Sequence, residues 1–177
     1  WRNTVIATRA FGNNHETVIT YAQAYCDGVR EGAGDRPIAL CMKHFPGDGR
    51  DERDQHVVTS YNDCSVEEWD ASYRKIWEWG IGAGIESIMV GHIMLPEYSR
   101  KLRPGIKDAD ILPATVSPEL LTDLLRNLEN GPASAREPAR APALATGLPT
   151  IAPAGPVSVS VHRPVEKIRS ISAAPSL

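Results

Sequence analysis

Cysteine is scarce in this chain. Its three residues, Cys26, Cys41 and Cys64, are odd in number and widely spaced. That excludes a disulfide framework and a CxxC zinc site, and makes buried free thiols in a reducing, cytoplasm-like compartment the simplest expectation. An excess of one charge is lacking as well: a formal net charge of −3 gives no reason to expect nucleic acid or an anionic membrane as partner. No apolar run approaches the roughly 20 residues needed to cross a bilayer. The chain begins at Trp1 with no charged, apolar, small-residue leader before it, so a processed start or a fragment is expected. Oligomeric state is left open. What remains is an ordinary globular balance of 42% apolar and 23% charged residues, at a length of 177 that suits one domain.

Periodicity supplies the elements. The stretch "NNHETVITYAQAYCDGVREGAG" predicts a helix with Asn14 as cap, Val18, Tyr21, Ala22, Tyr25 and Val29 on its apolar face, and Gly32 and Gly34 as stops. "IALCMK" reads as a short buried strand. "SVEEWDASYRKIWEWGIGAG" opens with a Ser65–Glu68 capping box, and Trp69, Tyr73, Ile76 and Trp77 share one face, as core rather than as a ligand platform. "IESIMVGHIML" reads as a second buried strand with His92 near its end. "SPELLTDLLRN" is a helix capped by Ser117 with Pro118 at its first position. Helices alternating with strands imply an α/β class with parallel pairing, and a polar site at the C-terminal strand ends.

From about residue 128 the composition changes. Eight prolines fall between 132 and 175, and no Phe, Trp or Tyr is present to nucleate a core. Residues 128–177 are therefore expected to be an irregular or disordered tail, with "VSVSV" as one candidate strand.

The polar stretch "KHFPGDGRDERDQH", Lys43–His56, follows the first strand and holds two histidines, three aspartates and a glutamate. Asp54 and His56 are two apart, so in an extended segment they project to the same side. A carboxylate beside an imidazole orients the ring and favours its protonated form, which suits acid/base work. Lys43 and His44 offer donors to a sugar, phosphate or carboxylate. The Gly47-Asp48-Gly49 turn matches neither a phosphate-binding loop nor a calcium loop. A metal site from His44, His56, His92 and an aspartate lacks any HxH or HExxH spacing, so neither a metal nor a cofactor is expected.

As a whole the pattern is more specific than its parts. Lys43, His44, Phe45, Pro46, Gly47, Gly49, Asp54 and His56, spaced K-H-F-P-G-x-G-x4-D-x-H, resemble the signature of glycoside hydrolase family 3, in its β-N-acetylglucosaminidase branch. "TRAFG" (residues 8–12), "SIMVGHIMLP" and "SPELLTDLLRN" are similar to flanking segments of that family, so the resemblance covers residues 2–127. It implies a (β/α)8 TIM-type barrel that removes terminal β-linked N-acetylglucosamine with retention of configuration. It implies His56 as acid/base with Asp54 as its partner, and Arg9, Lys43 and His44 on the sugar hydroxyls, with His92 as a neighbour. Carbohydrate is the implied partner.

The resemblance also implies an aspartate nucleophile on a later strand. Asp123 lies inside the last predicted helix, and no aspartate follows it. A barrel takes about 200–250 residues or more, and residues 1–127 supply roughly half. The expectation is a partial barrel with an irregular tail from an altered reading frame or gene end, retaining an acid/base group without a nucleophile. A sugar-binding remnant without turnover, and β-glucosidase-like specificity, are the alternatives.

Overall fold

The computed structural model describes residues 3–129. The tail expected from residue 128 onward, including "VSVSV", lies almost wholly outside the described residues.

A short helix α1 (Thr4–Ala7) starts the chain, capped by Asn3, whose side-chain oxygen accepts from the amides of Val5 and Ile6. Helix α2 (His15–Ala33) begins where Asn14 accepts from Thr17 N and ends at Gly34, whose φ is +56°. Its packed face is turned from the expected one. Cys26 and Ala33 are buried, with Val29 beside them against Leu40, whereas Tyr21 and Tyr25 are more than half exposed. Aromatic periodicity alone misplaced that stripe: the ring of Tyr25 packs on Phe11 outside the core, centroids 5.7 Å apart.

Strand β1 (Cys41–Phe45) begins later than expected and runs two residues further, so that His44 as well as Lys43 lies within its end. After the polar stretch comes β2 (Ser60–Tyr61), then α3 (Val66–Ala71) and α4 (Tyr73–Gly82). The Ser65–Glu68 capping box is formed in both directions. The single helix expected over 65–84 is two, because Ser72 turns its hydroxyl back onto the Glu68 carbonyl at 2.5 Å and leaves helical backbone geometry.

The expected second strand is likewise two, β3 (Ser87–Val90) and β4 (Ile93–Met94), parted at Gly91-His92. Strand β3 pairs in parallel with β1, and β4 in parallel with β2. Parallel pairing across helical connections is the α/β organisation the alternation implied. The β1–β3 ladder is irregular at one place: Lys43 opposes Met89 and Phe45 opposes Val90, so His44 is the extra residue of a bulge.

Helix α5 (Pro96–Leu102) follows, then single-turn helices at Asp108–Asp110 and Ala114–Val116. The last predicted helix is capped by Ser117, which accepts from Leu120 N. It is π-helical over Glu119–Leu125 before α6 (Arg126–Glu129). Phe45, Trp69, Trp77, Ile88, Leu95, Tyr98, Leu120 and Leu125 form one core between the strands and this helical layer. Two thiols are buried as expected; Cys41 is exposed, on the face of β1 that also carries exposed Lys43. Among the described residues no helix is long and apolar enough to cross a membrane.

Candidate active site

The site sits where β1 ends. Pro46 and Gly47 reverse the chain, with Gly47 N donating to His44 O at 2.8 Å. The backbone of Gly47 has φ +134°, and a Cβ there would lie 2.2 Å from the Tyr73 ring. The turn is held from below: the indole nitrogens of Trp69 and Trp77 both donate to the Pro46 carbonyl, and Asn62 donates to that of Gly47. The Tyr73 hydroxyl reaches the Asp48 carbonyl at 3.2 Å, and burial pushes its pKa up to about 12.

Beyond the turn, Asp51 is buried and organises the next few residues. Its carboxylate accepts from Arg53 N and Nε and from Tyr61 N. Burial acts to raise its pKa, but the hydrogen bonds from the Arg53 side chain and from the backbone of Arg53 and Tyr61 outweigh it and hold the carboxyl below its usual range. Asn3 donates to the carbonyls of Asp51 and Arg53, fastening the N-terminal segment to the same loop.

Asp54 and His56 do meet, though not through an extended segment. The chain turns at Asp54, whose carbonyl accepts from the amides of Val57 and Val58. Its side-chain Oδ1 accepts from His56 N at 2.9 Å and lies 2.6 Å from His56 Nδ1. A carboxylate folding back onto an amide two residues on is the local habit of aspartate that overrides strand alternation. Those two bonds from His56, backbone first, lower the Asp54 pKa, and the charge of Arg9 adds to the effect. The His56 ring is exposed and stands edge-on to the His44 ring, centroids 6.0 Å apart.

Arg9, Lys43 and His44 line one open cleft of about 1070 Å³, together with Asp48 and Arg50. Asp54 and His56 stand outside its wall, joined to it through the His44–His56 ring contact. His92 does not bring its imidazole to the cleft: its Nδ1 is 2.9 Å from Thr115 Oγ1. Only its backbone N–H turns toward the loop, donating to Gln55 Oε1 at 3.0 Å.

Two residues were not placed in the site from the sequence. Asp48 lies 3.2 Å from His44 Nδ1, both side chains being buried, and Asp48 also accepts from Gln55 Nε2. Gln55 itself is buried between exposed His56 and half-buried Asp54. A polar residue enclosed within a D-x-H triplet was the available signal. Among the described residues no group of three or more His, Cys, Asp or Glu is placed to hold a metal ion.

Residues 1–130 match the model of the glycosyl hydrolase family 3 N terminal domain. The chain is 50% identical over 127 residues to a β-N-acetylglucosaminidase/β-glucosidase of Cellulomonas fimi, an alignment covering 72% of this chain and 22% of that protein. It is 38% identical over 97 residues to the β-hexosaminidase LpqI of Mycobacterium tuberculosis, covering 53% and 23% respectively. Among solved structures, the β-glucoside phosphorylase BglX superposes with a TM-score of 0.66 at 39% identity, over 71% of this chain and 22% of that one. Native NagZ from Neisseria gonorrhoeae superposes with a TM-score of 0.56 at 29% identity, over 71% and 33%. The chain thus spans a third or less of the length of each of these relatives.

Proposed function

Since this chain belongs to glycosyl hydrolase family 3, we propose that residues 1–127 form part of a TIM-type barrel domain that binds a terminal β-linked N-acetylglucosamine and supplies the acid/base half of a retaining glycosidase site. The observation that carries this reading is the 2.6 Å contact between Asp54 Oδ1 and His56 Nδ1, beside a cleft lined by Arg9, Lys43 and His44. With Nδ1 held by Asp54, His56 Nε2 is the atom that gives a proton to the departing glycosidic oxygen. It then takes one from the incoming water. Arg9, Lys43 and His44 hold the sugar hydroxyls, and His92 acts only through its backbone.

Retention also needs a nucleophile. Asp123 is exposed within the π-helical stretch, and no aspartate follows it in the sequence. A chain of this sequence alone therefore binds sugar but hydrolyses it very slowly or not at all. Calorimetry with N-acetylglucosamine and turnover of a chromogenic β-N-acetylglucosaminide test this together. Binding weakened by Lys43→Ala, with turnover at background, is the expected result. Turnover abolished by His56→Ala would keep the acid/base role and overturn the missing-nucleophile clause. No binding of N-acetylglucosamine or glucose would sink the reading.

A second reading is phosphorolysis, favoured by the likeness to a structure described as a β-glucoside phosphorylase. A histidine acid/base, neutral as base, repels an incoming phosphate less than a carboxylate would. Formation of a sugar 1-phosphate in phosphate buffer would separate it from hydrolysis.

A further inference from the structure

We infer that Gln55 is the positioning residue of the Asp54–His56 pair, its carboxamide locking the turn that carries them to the C-terminal ends of both β1 and β3. This rests on the reading of that pair as the acid/base group. The orientation of the amide follows from its partners. The Asp48 carboxylate only accepts, so Nε2 faces it; the His92 N–H only donates, so Oε1 faces that. Asp48 in turn lies 3.2 Å from His44 Nδ1 on β1, and His92 directly follows Gly91 at the end of β3. One side chain thus spans from the β1 histidine's carboxylate to the backbone after β3.

Gly91 shows how tightly this link is fitted. A Cβ there would lie 2.4 Å from Gln55 Oε1 and 2.9 Å from His44 Cβ. Among the described residues the hydrogen bonds of Asp54 and His56 run to each other and within their own turn, and both are partly or largely exposed. Asn3 and Asp51 anchor the chain up to Arg53; the buried residue between Asp54 and His56 is what ties the turn itself to the strand ends beside His44.

The test uses the full chain with ¹⁵N-labelled histidine, its five rings assigned by single His→Gln substitutions. In Gln55→Ala the His56 ring loses its single Asp54-bound tautomer signature and the His44 signals shift, while His15, on α2, keeps its wild-type spectrum. Gln55→Glu is the decisive variant. Asp48 and His44 are the titratable groups that face the introduced carboxylate, with the Tyr73 hydroxyl on the Asp48 carbonyl and Arg9 beside Asp54. At neutral pH two carboxylates oppose each other and the spectrum follows Gln55→Ala. On acidification they share one proton, the link re-forms, and the spectrum returns toward that of the wild type at the same pH. If the chain turns over substrate, kcat falls about tenfold or more in Gln55→Ala with KM less affected. Because the ring spectra need no substrate, they decide the matter even where sugar binding fails. A His56 spectrum unchanged in Gln55→Ala, or Gln55→Glu tracking Gln55→Ala at every pH, overturns the inference. Should Gln55→Ala unfold, the acid recovery of Gln55→Glu alone decides.

Discussion

Trp69 and Trp77 donate to one acceptor, the carbonyl oxygen of Pro46, across 2.9 and 3.2 Å. In an unbroken helix eight residues rise about 12 Å, too far for both indoles to reach one atom easily. The break at Ser72 between α3 and α4 brings them together. Trp69→Phe and Trp77→Phe should each cost about 1–2 kcal/mol, since one donor remains on the buried carbonyl. The double variant should lose more than the sum, because the acceptor is then orphaned. Urea unfolding of the three variants checks the coupling; strict additivity would show that the two indoles act independently and do not stand in for each other on the shared carbonyl.

Gly47→Ala meets two separate obstacles, a φ of +134° and the Tyr73 ring 2.2 Å from the new Cβ. A loss of about 2 kcal/mol or more is expected. Adding Tyr73→Ala removes the collision but not the backbone strain. The pair should therefore remain less stable than Tyr73→Ala alone, as a thermal melt would report.

Asp51 makes stability depend on pH. Its carboxyl in the folded chain titrates below the ordinary value of 3.8. The stabilisation is therefore complete above that value and is lost as pH falls through the lower, folded one. Asp51→Asn should be about 1.5–3 kcal/mol less stable at pH 7, from the charge-assisted bonds given up. The difference should shrink below pH ~4 as the unfolded carboxyl takes its proton. Unfolding free energies at pH 7 and pH 3 test this, and a constant gap would contradict it.

Asn3 uses both ends of its amide: the oxygen caps α1, and the nitrogen donates to the carbonyls of Asp51 and Arg53. Aspartate is an equally good cap but would turn a carboxylate on those carbonyls. Asn3→Asp should consequently destabilise by about 1–3 kcal/mol despite keeping the cap. A variant as stable as wild type in denaturant titration would mean that capping is the whole role.

Much of this was legible from the residues. The α2 cap, the Ser65–Glu68 box, the buried tryptophans and the parallel strands all follow from local chemistry and spacing that tertiary packing did not overrule. The misplacements share a cause. Tyr21 and Tyr25 were assigned to a core by period, but period says only that residues share a face, not which face is covered. The strand through "IESIMVGHIML" looked continuous because Gly91 and His92 carry no signal of a break until Gln55 and His44 are seen to occupy the space beside them. At the candidate site the spacing brought Lys43, His44, Asp54 and His56 into view. It could not show that His92 turns to Thr115 or that Asp48 and Gln55 connect the rest, since both depend on pairings between residues 7 to 37 apart.

The bulge at His44 gives β1 three residues where β3 has two. Deleting that residue would give a straighter ladder and a better-behaved sheet, and would remove the imidazole that faces Asp48 and His56. Regularity and use are opposed at this position. A search for stabilising changes that rewarded only an even strand would lead away from the candidate site, since the irregularity is what turns this imidazole to Asp48 and His56.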